Sequence, residues 1–474
     1  MGCFASKEME PAPPDFPYFC IFFRTPDKIR VINANPELET MLTNSINSVW
    51  DAVQNVYFEQ GALTYKLAGC PFYRNASRSM SMACKRLGCQ ILQDLYASGY
   101  TLLATSDLSR TNDVSSWFLR REVAMRPPEH IMCLSLSRHF SLQLINAQAK
   151  FADILSSVIV ESYQLGLQKV QKYAEGVEYH LNGNPWFGEG EEKREGRMLI
   201  LSCIKAFESH NYRFYGTVNF KGTADSLFFI HSEDLDTTAT RYCMLSLDRH
   251  DRIRLLSFTE EPELTILIGQ SLTENWDKIV KETEMQPGLV EWKLQGSPWW
   301  ASGWESVTAR ALIAQLFSDV SAAGWSIHAS LDTARTLTDK TVFVLRSSAP
   351  RALEHVCLSF NQTDIIRVLN APSDCVDVVR NILQSKWIRG FQEYSYEDIP
   401  EFKLRGNPWG SMALDSIQAR YLLCYLLAGL EVDGWSLASS ADTSAKYYSG
   451  QGGHYPLDVH SWFLKRPVVR SHPT

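Results

Sequence analysis

The first residues with a chemistry of their own are Met1-Gly2-Cys3-Phe4-Ala5-Ser6. Removal of Met1 exposes Gly2, and a small hydroxyl residue at the sixth position completes the pattern for N-myristoylation. Cys3 supplies an adjacent thiol for palmitoylation. One myristoyl chain holds a protein to a bilayer only marginally, so stable anchoring takes a second signal. The next residues, Lys7-Glu8-Met9-Glu10, bring no basic patch, which leaves Cys3 in that role. The expectation is a lipid-anchored, peripheral protein on the cytoplasmic face of the plasma membrane or an endomembrane. Pro11-Ala12-Pro13-Pro14 reads as a short extended spacer between anchor and folded part.

A second stretch suited to binding lies near the other end, where Tyr447, Tyr448, His454, Tyr455 and His460 sit in a Tyr/Gly-rich insertion between Asp442 and Trp462. Such a loop suits a protein partner or a small molecule. Two histidines six apart without a third ligand make no zinc site, and Ser-Gly-Gln-Gly-Gly lacks the Lys-Ser/Thr pair of a phosphate loop. An enzyme built on this loop would join His454 or His460 to an acid such as Asp442 or Asp458. Asp107, Asp332 and Asp442 recur once each behind a shared segment and read as loop or cap residues. Pairing such singly recurring acids would need an unusual docking of units. The charged run from Gly188 to Gly196 reads as a solvated loop leading into a helix. No nucleophile elbow, zincin, nucleotide-loop or kinase signature occurs. Catalytic residues, metal ligands and cofactors are therefore left unassigned, and the reading leans away from an enzyme.

The chain of 474 residues carries a net charge of −7. That balance, with no basic stripe, argues against a nucleic-acid binder. With 45% hydrophobic and 21% charged residues the composition is that of an ordinary globular protein. Its 11 cysteines include no Cys-x-x-Cys. Cys20, Cys133, Cys243 and Cys357 fall in corresponding apolar runs, as buried small hydrophobes do in a reducing compartment. There is no run long enough for a transmembrane helix and no apolar leader.

The elements that position these residues are organised by an internal repeat. Tyr65-Lys66-Leu67-Ala68-Gly69-Cys70-Pro71-Phe72 returns as Tyr179 to Trp186 with Gly183 and Pro185, as Trp292 to Trp299 with Gly296 and Pro298, and as Phe402 to Trp409 with Gly406 and Pro408. The four glycines lie 114, 113 and 110 residues apart. Fixed-period self-similarity marks a repeat architecture. Gly permits a conformation closed to other residues, Pro two positions on fixes the turn, and the aromatic caps a core, so the signature reads as structural.

Around it, unit one begins with a strand pair, Tyr18–Phe23 and Ile29–Asn33. Asn35-Pro36 opens a first helix. Extended segments then lead to the signature, a second helix covers 77–97, and Gly99 caps it before a terminal strand pair. The fold class expected is α+β: four tandem repeats of about 110 residues, each ββαβαββ, with a mainly antiparallel sheet buried on one face under two helices. The divisions are 1–15 (tail), 16–127, 128–238, 239–350 and 351–474. The function expected is a non-enzymatic, membrane-tethered scaffold or adaptor presenting its units to protein partners. The alternative is a small-molecule or lipid-binding module with an aromatic-lined pocket between sheet and helices.

Overall fold

The computed structural model describes residues 12–468 except 14, 51–52, 74–75, 109–112, 123, 221–223, 234, 236, 238, 279, 334–339, 411–413, 445–446, 451–452 and 457–458; the side chains of 113–114, 447–450 and 453–456 are also outside it. Unit one contains β1 (Tyr18–Arg24), β2 (Lys28–Ile32), α1 (Pro36–Val49), β3 (Val53–Glu59), β4 (Ala62–Leu67), α2 (Arg78–Ala97), β5 (Tyr100–Ser106) and β6 (Asp113–Arg121). Unit two contains β7 (Ile131–Ser137), β8 (Ser141–Ile145), α3 (Lys150–Ser162), β9 (Leu167–Lys172), β10 (Gly176–Leu181), α4 (Glu191–Glu208), β11 (Tyr212–Val218) and β12 (Ser226–His231). Unit three contains β13 (Tyr242–Asp248), β14 (Arg252–Ser257), α5 (Pro262–Asn275), β15 (Val280–Gln286), β16 (Leu289–Leu294), α6 (Trp304–Ala322), β17 (Trp325–Leu331) and β18 (Val342–Ser347). Unit four contains β19 (Leu353–Asn361), β20 (Ile365–Leu369), α7 (Ser373–Lys386), β21 (Phe391–Tyr396), β22 (Ile399–Leu404), α8 (Leu414–Val432), β23 (Ser436–Ala441), β24 (Tyr447–Gly450), β25 (Gly453–Pro456) and β26 (Ser461–Pro467).

Each unit folds into a six-stranded antiparallel sheet, ordered β3-β4-β2-β1-β6-β5 in unit one and equivalently in the others. The α+β repeat fold thus stands as expected, but each unit is ββαββαββ, one strand more than the sequence pattern counted. The additional strand is the outer edge: β15 reads Val280-Lys281-Glu282-Thr283-Glu284-Met285-Gln286 and is exposed nearly throughout. With no buried face there is no alternation to mark it.

A larger difference concerns burial. One-sided sheets alternate apolar and polar residues, whereas β1, β7 and β13 are buried along six or seven consecutive residues. The second helix of every unit packs against the following unit's central strand: α2 on β7, α4 on β13, α6 on β19, and α8 back on β1. The four units therefore close into a ring. Along β1, Phe19, Ile21 and Phe23 face unit one's own helices, while Tyr18, Cys20 and Phe22 enter a core shared with α8. The same division holds in β13, where Tyr242 and Met244 join unit two's core and Cys243, Leu245 and Leu247 join unit three's. Cys243 is thus one position out of step with Cys20, Cys133 and Cys357, which face the preceding unit's helix. Sandwiched between two sheets, α8 is buried on nearly every side, including Ile417, Leu422, Leu423, Leu426 and Leu430.

The repeat signature clamps the first hairpin of its own sheet. All four signature glycines sit at positive φ, from +70 to +106°. Beyond the turn, the indole N–H groups of Trp186, Trp299 and Trp409 donate to the carbonyls of Ser141, Arg252 and Ile365 at 3.0, 2.9 and 3.1 Å. These carbonyls open the second strand of units two, three and four. Phe72 has no N–H to place, and packs instead against Phe23 and Phe220. At the other end of each second helix Gly99, Asn211, Gly324 and Gly434 take the left-handed cap.

Candidate functional site

Ring closure creates two kinds of place that no single unit contains: a hub, where the inner strands β5, β11, β17 and β23 meet in cyclic order, and four seams, where a helix crosses the next sheet.

At the hub, backbone and hydroxyl groups tie each unit to the next. The Asp225 N–H donates to the Asp332 carbonyl (2.9 Å), and the Asp332 N–H donates to Asp225 Oδ2 (2.7 Å). The Thr341 N–H donates to the Asp442 carbonyl (3.0 Å), and the His460 N–H donates to the Asp107 carbonyl (3.1 Å). Units one and two meet where the Asn219 N–H donates to Ser115 Oγ (3.1 Å). Asp225, Asp332 and His460 form the titratable group. His460 Nε2 lies 3.6 Å from Asp332 Oδ2, and its Nδ1 lies 3.1 Å from Ser440 Oγ. Burial and the neighbouring Asp332 charge hold the Asp225 carboxyl well above the ordinary range. Burial would raise Asp332 too, but His460 and the Thr341 hydroxyl outweigh it and hold that carboxyl low. The void between these groups is about 10 Å³, room for one water. Among the described residues the hub is a tightly packed acid–acid–imidazole junction.

Each seam carries a buried cation from the second helix: Lys85, Arg197, Arg310 and Arg420, in step with the repeat. Lys85 donates to Gln143 (2.7 Å), Arg310 to Ser461 (3.1 Å) and Arg420 to Ser116 (2.9 Å). Arg197 grips Asp248 with both terminal nitrogens, at 2.8 and 3.0 Å, and donates to Ser246 at 3.0 Å. Lys193 and Arg254 each approach Asp248 to 3.6 Å. Burial would push the Asp248 carboxyl up, but these three cations hold it far below the ordinary range. Beside this cluster, in the seam between units two and three, is a cavity of about 300 Å³. Met244, Leu256, Met285 and Leu289 form its apolar wall, and Lys193, Arg194, Arg197 and Arg254 its cationic one. Its size falls at the lower end of small-molecule sites.

The residues expected from sequence are distributed differently. Gly2 and Cys3 lie outside the described residues. The Tyr/Gly-rich insertion is a two-stranded hairpin in which Tyr448 pairs with Tyr455 and Ser449 with His454; the side chains of Tyr447, Tyr448, His454 and Tyr455, and all of Asp458, lie outside the described residues. His460 leaves that loop for the hub, where its ring lies 3.6 Å from Asp332 Oδ2. Asp332, read from the sequence as a loop or cap residue, lies beside another acid, Asp225 from unit two. The charged run after the unit-two signature is largely helical: Glu195 and Arg197 are buried within α4, and Lys193 and Arg194 line the cavity. Among the described residues the cavity's lining contains no aromatic side chain, and the signature aromatics are filled into the cores. What sequence reasoning missed is the cation at 85, 197, 310 and 420, whose 112-, 113- and 110-residue spacing was available as a signal. Among the described residues no cluster of His, Cys, Asp and Glu is arranged to hold a metal ion, and no helix is long and apolar enough to cross a membrane.

A protein-family model of a single domain matches the chain four times, over residues 17–120, 130–239, 241–346 and 354–465. The chain belongs to the family that this domain defines and contains four tandem copies of it. Among solved structures it is similar to the crystal structure of a conserved kinetoplastid-specific protein from Trypanosoma cruzi. That match has 19% identity over 24% of this chain and 95% of the other, with a TM-score of 0.17. No curated protein matches the chain.

Proposed function

We propose that the protein is a non-enzymatic, lipid-anchored scaffold that holds four units in fixed orientation on the cytosolic face of a membrane and presents them to protein partners. The observation that carries this reading is ring closure through shared helices, because a unit whose second helix belongs to two cores cannot reorient without exposing both. The outward surface then includes the edge strands β3, β9, β15 and β21 with their hairpins and the exposed faces of α1, α3, α5 and α7. Charges such as Lys281, Glu282 and Glu284 on β15 discourage a partner from adding a strand, so side chains on these edges do the recognising. The spacer is partly docked: Phe16 lies 4.5 Å from the Tyr425 ring, and Ala12 packs on the same core. Its described residues Ala12 and Phe16 sit at the seam between units four and one. Gly2→Ala is expected to move the protein from the membrane to the soluble fraction; unchanged fractionation removes the tether from this reading.

A second reading, a small-molecule binding module, is favoured by the cavity between units two and three, with cations along one wall and apolar side chains along the other.

A further inference from the structure

The four seams are built from equivalent positions, so the three that set an aromatic ring against a guanidinium show what the fourth lacks. A cavity of about 590 Å³ also lies in the seam between units one and two, lined by Lys85, Ser135 and Gln143. Strand registers place Phe22, Ser135, Ser246 and Ser359 at one position, opposite Arg30, Gln143, Arg254 and Arg367. Glu59, Tyr173, Gln286 and Tyr396 occupy another, immediately before the outer hairpin turn, facing Ala62, Gly176, Leu289 and Ile399. In the seam between units four and one, the Phe22 ring lies under the guanidinium of Arg420 at 4.2 Å and that of Arg30 at 5.9 Å. Between units three and four, the Tyr396 ring lies 4.6 Å from the Arg367 guanidinium. Between units one and two, the Tyr173 ring lies 5.8 Å from Arg78, whose Nη1 donates to its hydroxyl at 2.6 Å. Each of these seams sets an aromatic ring of the chain against a guanidinium, Phe22 buried and Tyr173 and Tyr396 half-buried.

The seam between units two and three has Ser246 and Gln286 at the two ring-bearing positions. It keeps Arg197 and Arg254, the counterparts of Arg420 and Arg30, and it contains the 300 Å³ cavity. We propose that this cavity binds a small molecule carrying an aromatic ring, which takes the place that Phe22, Tyr173 and Tyr396 fill elsewhere. The proposal rests on the small-molecule reading above and names its ligand class. The ring face meets the guanidinium groups of Arg197 and Arg254, where the ring quadrupole and cation attract. Its edges meet Met244, Leu256 and Leu289. An anionic or accepting substituent points to Lys193, one of three lining cations that gather around the buried Asp248.

The test uses the full chain with ¹³C-methyl methionine, following Met244 and Met285 during titration with 3-phenylpropanoate, indole and the saturated analogue 3-cyclohexylpropanoate. The expected result is that the aromatic probes shift both methyls and that the saturated analogue binds about tenfold more weakly. Two variants import rings this chain already uses: Ser246→Phe copies Phe22, and Gln286→Tyr copies Tyr173 and Tyr396. Either should abolish probe binding while leaving the melting temperature equal or higher, and if one fails to fold the other decides. Equal binding of the saturated analogue would overturn the aromatic class while leaving a small-molecule site standing. Absence of any shift at Met244 and Met285 up to about 10 mM probe, a limit weaker than millimolar affinity, would overturn both, as would binding that survives both ring imports.

Discussion

Replacing Asp225 by Asn should stabilise the ring, although it removes a titratable group from a buried hydrogen-bonded junction. The Asp225 carboxyl faces Asp332 and His460, and burial together with the Asp332 charge holds its pKa above the unfolded value. A raised folded pKa means stability that is complete below the unfolded midpoint, near pH 3.9, and is lost as pH rises through the folded midpoint. Across that interval the loss is about 1.4 kcal/mol for each pH unit, since the unfolded chain is ionised and the folded one is not. The Asp225→Asn variant would carry no such loss, while the amide oxygen of its side chain still accepts from the Asp332 N–H. Unfolding entropy of about 2.1 cal/mol/K per residue over 474 residues is about 1 kcal/mol/K for the whole ring. Asp225→Asn should therefore melt with wild type near pH 4 and gain about 1.4 °C per pH unit above it until the wild-type carboxyl ionises. Thermal melts at half-unit steps from pH 4 to 8 measure this directly. In an Asp332→Asn background the gain should shrink, because the repelling charge is gone and neighbouring sites couple. A variant that melts below wild type at neutral pH, or a difference flat with pH, refutes the reasoning.

The cation at the seam between units two and three gives a test of opposite sign. Arg197→Met leaves Asp248 buried with only Lys193 and Arg254 at 3.6 Å, and should cost about 3 kcal/mol in chemical denaturation. Adding Asp248→Asn should recover most of this loss; a cost below about 1 kcal/mol would mean the pair contributes little to the seam. Trp409→Phe keeps the ring but loses the bond from its indole N–H to the Ile365 carbonyl, and should cost about 1 kcal/mol. Trp409→Ala, which also opens a void in the core, should cost about 3–5 kcal/mol.

The parts legible in the sequence were those coded by contacts close along the chain. Asn35 caps α1 through its side chain, accepting from the Leu38 N–H at 2.8 Å, with Pro36 as the first helical residue. Asn211 stands in for the capping glycine at φ 66°. The signature Gly-x-Pro-aromatic marks a hairpin clamp whose hydrogen-bonded carbonyl, in units two to four, lies within the same unit. The outer strand β15 carries no apolar face to mark it, and the run Gly188–Gly196, read as a loop leading into a helix, is helical from Glu191 onward.

The sequence by itself determined the repeat, its period, the two helices and the antiparallel sheet of each unit, because propensity, caps and turn chemistry act over a few residues. Only the tertiary structure decided that the units close on one another. That closure turns one-sided sheets into two-sided ones, brings Asp225 beside Asp332, and leaves one seam of four without its ring. The physical reason is that each second helix is apolar on two faces but has a single sheet in its own unit to cover. Its other face is satisfied by the next unit, and for α8 the next unit is the first.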